Sequence, residues 1–230
     1  MVQMVQSDQK PAARLGTLNK TGWLSDQPQD LRNWIARNGR WLRYTPRETL
    51  YLAGDTPDGL YGLANGTLEL SFPLPGSDPV VFHRAEPGFW IGEAAILSSE
   101  PRMVTVTAAS ECLVFFVPAA KLTALLEAEP HHWRSFYDQS NRNLKTALML
   151  LSETLSLTPR ARLARLLLRI ADPRGEVTGS QQELGQLVGM PRSTLRRALA
   201  SLVKTGVVKS GYGRLVVADR AALERIATDR

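Results

Sequence analysis

One cysteine in 230 residues is the first constraint on this chain. Cys112 has no partner for an internal disulfide, so a reducing, cytoplasmic setting is expected. A single thiolate also cannot hold an iron–sulfur cluster, which needs about four. Histidines are nearly as scarce: His83, His131 and His132. Adjacent positions at a helix start point about 100° apart, a poor geometry for two ligands of one ion, so no metal or haem site is expected. No apolar run reaches the ~18–20 residues that cross a bilayer, and no signal-peptide pattern opens the sequence, so no membrane partner is expected. A P-loop, a dinucleotide fingerprint and a Ser/His/Asp spacing are all missing. Cys112 sits at a strand edge without a neighbouring base. With no catalytic constellation, the chain is not expected to be an enzyme.

What the sequence does contain is a charge asymmetry. Residues 157–230 carry 14 Lys and Arg against 6 Asp and Glu, a balance of +8, whereas residues 1–156 carry 14 against 16. The length suits two domains, and 43% hydrophobic residues suffice for a core in each. A basic module joined to a nearly neutral one suggests a polyanion reader attached to something else.

Residues 1–22 are polar and aperiodic, and predict a flexible tail. Ser25 reads as an N-cap ahead of Pro28 and a helical run through Leu31, Trp34 and Ile35, with Gly39 where a helix would stop. From about Trp41 to Pro118, short apolar pieces alternate with turn signals: Gly54-Asp55, Asp58-Gly59, Asn65-Gly66, Pro75-Gly76-Ser77-Asp78 and Pro87-Gly88. Asp55 and Asp58 read as turn formers. The pieces Thr67–Phe72, Val80–His83, Val104–Ala108 and Leu113–Val117 read as strands of a sandwich, barrel or roll. A short helix is expected over 119–128 and a long one from about Pro130 to Leu155. Along the latter, Trp133, Tyr137, Ser140 and Leu144 form a stripe that Leu148, Leu151 and Leu155 resume after one slip. That stripe either packs on the chain's own β domain or pairs with a second copy.

Thr158-Pro159 opens the next helix, Arg160–Ala171, with Leu163, Leu166, Leu167 and Ile170 on one face. Ser180-Gln181-Gln182-Glu183 then spells a capping box. A helix over Gln181–Val188 buries Leu184, Leu187 and Val188, and Gly189 supplies a tight turn. Pro191 starts a second helix with an apolar face of Leu195, Leu199 and Leu202, which Gly206 stops. Its first two turns carry Arg192, Ser193, Thr194, Arg196 and Arg197. Two short helices around a glycine turn, the second rich in arginine, form a helix-turn-helix that reads DNA. Arg192 and Arg197 are the candidates for guanine O6 and N7. Thr194 and Gln182 suit phosphate oxygens. Val207–Lys209 and Leu215–Val217, flanking Ser210-Gly211-Tyr212-Gly213-Arg214, predict a wing hairpin.

With these pieces in order, roughly Trp23–Asp219 resembles the Crp/Fnr family of bacterial transcription regulators. The resemblance rests on Gln182-Glu183-Leu184-Gly185-Gln186-Leu187-Val188-Gly189 followed by Arg192, Thr194 and Arg197. It also rests on the turns Gly54-Asp55, Gly59-Leu60-Tyr61 and Asn65-Gly66. It implies an α+β chain: an N-terminal β-roll sensor domain, a long dimerisation helix and a C-terminal winged helix-turn-helix. The segments Gly92-Glu93-Ala94-Ala95-Ile96-Leu97 and Pro101-Arg102-Met103 look like the family's phosphate-binding cassette. In relatives that bind cyclic nucleotides, the glutamate accepts from the ribose 2′-hydroxyl and the arginine pairs with the cyclic phosphate. Gly92, Glu93, Ala94 and Arg102 are therefore the candidate ligand-site residues, the competing reading being a buried Glu93–Arg102 pair that holds the roll together without a ligand. Three departures count against cyclic AMP. Met103 stands where a small or hydroxylated residue is usual, and Ala94 replaces a leucine. Ala147 and Leu148 fall where the cyclic-AMP receptor protein offers hydroxyls to adenine. Ser193 stands where the best-known relatives carry glutamate, so the operator half-site should differ there, and Arg196 is a replacement contact.

The expected organisation is thus a tail (1–22), a roll with flanking helices (23–129), a dimer helix (130–157) and a winged DNA-binding module (158–230). The expected function is a sequence-specific regulator, acting as a homodimer on a roughly palindromic operator of double-stranded DNA. The resemblance implies RNA polymerase as a further partner. The competing reading is a ligand-binding or scaffold protein whose helix-turn-helix contacts other proteins.

Overall fold

A computed structural model describes residues 3–5, 11–74, 76, 79–211 and 214–229. By its internal packing the chain divides into two compact units, Met1–Pro79 with His83–Thr146, and Val80–Phe82 with Ala147–Arg230.

In the first unit, β1 (Gln3–Val5) is followed by 3-10 turns at Pro11–Asn19 and Trp23–Asp26 and by α1 (Gln29–Asn38). The roll comprises β2 (Arg40–Tyr44), β3 (Thr49–Tyr51), β4 (Gly59–Asn65), β5 (Leu68–Phe72), β6 (Val80–Ala85), β7 (Trp90–Ile91), α2 (Glu93–Ser98), β8 (Thr105–Ala108) and β9 (Cys112–Pro118). One antiparallel sheet runs β1-β2-β9-β4-β7 and the other β3-β8-β5-β6. Then come α3 (Ala119–Ala128), a 3-10 turn at Pro130–His132, and α4 (Trp133–Ser156), whose residues from Ala147 on belong to the second unit. In β5, Leu68 and Leu70 are buried while Glu69 and Ser71 are half-buried, the alternation its sequence predicts.

Two local expectations need correction. Residues 15–22 are not a loose tail: Leu15 and Leu18 belong to the core with Trp23, Leu24, Trp90, Phe115 and Phe136. Trp23 donates from Nε1 to the Ser135 carbonyl at 2.8 Å and meets Trp90 edge-on at 5.6 Å. An aromatic of this size buries enough surface to hold an otherwise aperiodic segment in place. Nor does Ser25 cap α1. Its hydroxyl donates to the Gly22 carbonyl, and Pro28 takes the cap position with no side-chain bond.

The second unit holds α5 (Pro159–Ile170), β10 (Glu176–Thr178), α6 (Gln181–Val188), α7 (Arg192–Lys204), β11 (Val208–Gly211), β12 (Arg214–Val217) and α8 (Arg220–Ile226). Thr158 caps α5 by accepting from the Ala161 amide. The three strands pair in the order β10-β12-β11. The core draws on α5 through Leu163, Leu166 and Leu167, on α6 through Leu184, and on α7 through Leu195 and Leu202. Burying a side chain of this kind contributes roughly 1.5–3 kcal/mol. Glu153, near the end of α4, is almost fully buried and accepts from Arg169 at 2.7 and 2.8 Å and from Arg165 at 3.4 Å.

Candidate functional sites: a DNA-reading helix and an effector cassette

The capping box forms as its sequence predicts. Ser180 N donates to Glu183 Oε2 at 2.6 Å, and Glu183 N donates to Ser180 Oγ at 3.2 Å. This reciprocal pair fixes where α6 begins. Gly189 turns the chain at φ 62°, a conformation costly for residues with a side chain. Gly185 lets α7 approach, since a Cβ there would lie 3.2 Å from the Met190 carbonyl and 3.6 Å from Leu195. On α7, Leu195, Ala198, Leu199 and Leu202 are buried while Arg192, Ser193, Arg196 and Arg197 are exposed, with Thr194 half-buried. Ser193, Arg196, Arg197 and Ala200 share one open depression on that face. Among the described residues, Arg192, Arg196 and Arg197 have no carboxylate partner, so their donors are available to an external acceptor. The side chain of Gln182, and residues Tyr212 and Gly213 at the hairpin tip, lie outside the described residues. The hairpin itself is formed by β11 and β12.

In the first unit the cassette residues converge, with wiring that the sequence does not announce. Gly92 has φ 114°, and a Cβ on it would meet Arg102 Nη1 at 2.6 Å and the Gly59 carbonyl at 2.7 Å. Only glycine fits. Arg102 is buried, at 3% exposure, and its guanidinium is bonded to the protein itself. Nη1 donates to the Gly92 carbonyl at 2.9 Å, while Nη2 donates to the Gly59 carbonyl at 2.6 Å and to Asp58 Oδ1 at 2.7 Å. The group lies over the Tyr51 ring, 4.1 Å from its centroid. Its backbone is clamped too, through Arg102 N to Asp55 O and Gly54 N to Arg102 O. Asp55 makes the turn expected of it, accepting from Leu52 N at 2.7 Å. Asp58 does more than form a turn: it pairs with Arg102 and accepts from the Tyr61 hydroxyl at 2.5 Å. Burial, with Asp58 alongside, holds the Tyr61 phenol well above its ordinary pKa.

Glu93 is the cassette's other buried ionisable residue, at 1% exposure. Its Oε1 accepts from Ser140 Oγ at 3.2 Å and Asn143 Nδ2 at 3.1 Å, both on α4. Burial raises its carboxyl above the usual range, an effect that the Asn143 and Ser140 hydrogen bonds and the nearby Arg102 partly offset. Glu93 Oε2 and Arg102 Nε are buried without a hydrogen-bond partner. One is an acceptor and the other a donor, the two functions that a hydroxyl-bearing anion would satisfy. Ala94 is half-buried on α2 and Met103 is 68% exposed, bringing no donor to the cassette. Ala147 and Leu148 are exposed on α4. The α4 side chains that reach the cassette come earlier: Ser140 and Asn143, with Gln139 donating to the Trp90 carbonyl. A polar residue interrupting an apolar stripe was the available signal for Ser140. Tyr51, Tyr61 and Asn143 left none.

The stripe on α4 is exposed as well. Tyr137 (65%), Leu144 (54%), Leu148 (52%), Leu151 (54%) and Leu155 (77%) all face outward.

Comparison with known proteins agrees with this division. Residues 41–129 match the family described as cyclic nucleotide-binding domain, and residues 161–226 match the Crp-like helix-turn-helix domain. Together these domains define a DNA-binding transcription regulator. The chain is 30% identical over 193 residues to the transcriptional regulator LdrP of Thermus thermophilus, covering 80% of this chain and 95% of that protein. It is 24% identical over the same length to the cAMP-activated global transcriptional regulator CRP of Pasteurella multocida, covering 80% and 92%. A solved CRP-family transcriptional regulator, also from Thermus thermophilus, superposes with a TM-score of 0.67 at 26% identity, covering 80% and 95%. The chain belongs to the Crp/Fnr family of transcription regulators. No helix among the described residues is long and apolar enough to cross a membrane.

Proposed function

We propose that this regulator works as a homodimer in the cytoplasm, paired through the exposed stripe of α4, and that it reads a roughly palindromic operator. The observation that carries the reading is the exposed arginine face of α7, fixed by the Ser180–Glu183 capping box on a packed core. A helix presented in this way fits the major groove. Arg192 and Arg197 read guanine, Thr194 and Gln182 hold phosphates, and Ser193 with Arg196 sets a half-site of its own. Large apolar side chains left exposed along one helix face support pairing with a second copy. Contact with RNA polymerase would follow from the DNA-bound dimer.

For the roll, we propose a small anionic effector with a hydroxyl group, held by Glu93 and Arg102, and not cyclic AMP. The orphaned Glu93 Oε2 and Arg102 Nε support a ligand of that chemistry. Met103 brings no hydrogen-bond donor to the cassette, and Ala147 and Leu148 carry no hydroxyl that could accept from an adenine amino group, which argues against adenine recognition. The anion would take the unpartnered Arg102 Nε and compete with Asp58 for the rest of the guanidinium.

The test selects bound duplexes from a random pool, with and without cyclic nucleotides, and follows with footprinting and native mass spectrometry. A two-fold symmetric footprint bound by two chains is expected. Failure to enrich any sequence under every condition would overturn the DNA-reading proposal. Enrichment by a monomer would overturn the dimer alone, and a requirement for cyclic AMP would overturn the effector assignment.

A further inference from the structure

At the entry to α4, a cluster of donors takes no part in either site. Asp30 on α1, Glu129 after α3, and His131 and His132 in the following 3-10 turn come together there. The Asp30 carboxylate and the two imidazoles place one ligand atom each within 4.8 Å of one another. Asp30 Oδ2 lies 3.8 Å from His131 Nε2 and 3.9 Å from His132 Nε2. Glu129 Oε2 faces the same nitrogens at 3.9 and 3.4 Å. The expectation that neighbouring histidines diverge rests on Cβ directions. The rings themselves converge, with centroids 4.0 Å apart.

We propose that Asp30, His131 and His132 bind a divalent cation of the zinc type, with Glu129 recruited as the fourth ligand, tying the start of α1 to the entry of the long helix. Two imidazole nitrogens and two carboxylate oxygens are a donor set that zinc accepts in tetrahedral geometry. Bonds of about 2.0–2.1 Å make the edges of such a tetrahedron about 3.3 Å long. Asp30 lies 3.8 and 3.9 Å from the two imidazole nitrogens, so modest contraction closes the three-residue set, and Glu129, 3.9 and 3.4 Å from the same nitrogens, swings toward Asp30 to complete it. The side chains are suited to that movement. His132 is fixed, at 3% exposure, while His131, Asp30 and Glu129 are 64%, 59% and 50% exposed and can rotate around it. With both imidazoles in the neutral form that metals bind, the two carboxylates supply the charge that a divalent ion cancels.

The test titrates the full-length, chelator-treated protein with Zn²⁺ alone, against a competing chromophoric chelator. One ion per chain is expected. D30N combined with H131A should weaken binding by roughly a hundredfold. C112S and H83A, which alter the other potential soft ligands, should leave binding unchanged. Because Asp30 and His131 are exposed, the double variant should fold normally, and its metal-free melting temperature serves as the control. Zn²⁺ should raise the melting temperature of the wild type and not that of the double variant. Absence of stoichiometric binding would overturn the proposal. So would binding that survives D30N/H131A intact, or that disappears with C112S.

Discussion

Arg102 Nη2 lies 2.7 Å from Asp58 Oδ1, so the cation of the effector cassette is already neutralised by a carboxylate 44 residues away. The pair is asymmetric: the Arg102 side chain is 2% exposed and that of Asp58 54%. An incoming anion therefore competes with a partner that solvent can receive at little cost. Replacing Asp58 by Asn should raise affinity for anionic ligands by about tenfold, or ~1.4 kcal/mol. It should also destabilise the first unit by about 1–2 kcal/mol, less than a fully buried pair would lose. Calorimetric titration with cyclic nucleotides and chemical denaturation read the two effects separately. Unchanged anion affinity would mean that Asp58 does not guard the arginine.

Glu93 gives a pH signature whose direction follows from its raised pKa. The folded chain holds the Glu93 proton at pH values where the unfolded chain, near the ordinary value of 4.5, has released it. Between those two values the native state binds more protons, so the contribution to stability falls as pH rises. Below the unfolded value there is no penalty, and above the folded value it is complete. E93Q cannot titrate. Its denaturation midpoint should exceed that of the wild type at alkaline pH, with the gap closing as pH falls toward the ordinary glutamate value. A gap independent of pH would show that Glu93 does not titrate as its burial implies.

Arg197 and Lys209 should separate base reading from phosphate binding. Arg197 is exposed on the reading face of α7, and Lys209 is exposed on β11 of the hairpin. R197A should cost about 1–3 kcal/mol on the selected operator and relax one base position. K209A should weaken all duplexes alike and lower the salt slope by about one. Fluorescence anisotropy against salt, on operator and random DNA, distinguishes the two. Identical behaviour of both variants would remove Arg197 from the base-reading set.

The α4 stripe makes a prediction about assembly. L148E combined with L151E places two charges where a partner helix would bury leucines, a cost of about 3 kcal/mol or more. That corresponds to at least a hundredfold in the dimer dissociation constant. Sedimentation velocity should show a monomer with unchanged helical content, and operator affinity should fall with it. A dimer that persists in this variant must pair through another surface.

How much of this was legible in sequence depended on the range of the interactions. The Ser180–Glu183 box, the Thr158 cap and the Leu195–Leu199–Leu202 face are each settled within a turn or two of helix, so spacing alone revealed them. The alternation of Leu68 and Leu70 did the same for the roll. The cassette's internal wiring joins residues far apart in the chain: Asp58 to Arg102, and Glu93 to Ser140 and Asn143. No local pattern encodes such pairs. Residues 15–22 escaped for a related reason. Leu15 and Leu18 lie in short 3-10 turns, whose burial follows neither a helical nor a strand period. The resemblance to a known family supplied the candidate ligand residues but not the partner that occupies Arg102.

Gly185 carries a consequence for how this regulator can diverge. A methyl group there would lie 3.2 Å from the Met190 carbonyl, so the turn between α6 and α7 must give by a few tenths of an ångström, and 3.6 Å from Leu195, an ordinary contact. Alanine favours helix, so G185A should still fold, with any adjustment passed through the turn to the start of α7. If α7 reads the operator as proposed, a change at Gly185 is expected to alter its preference while Arg192 and Arg197 stay in place.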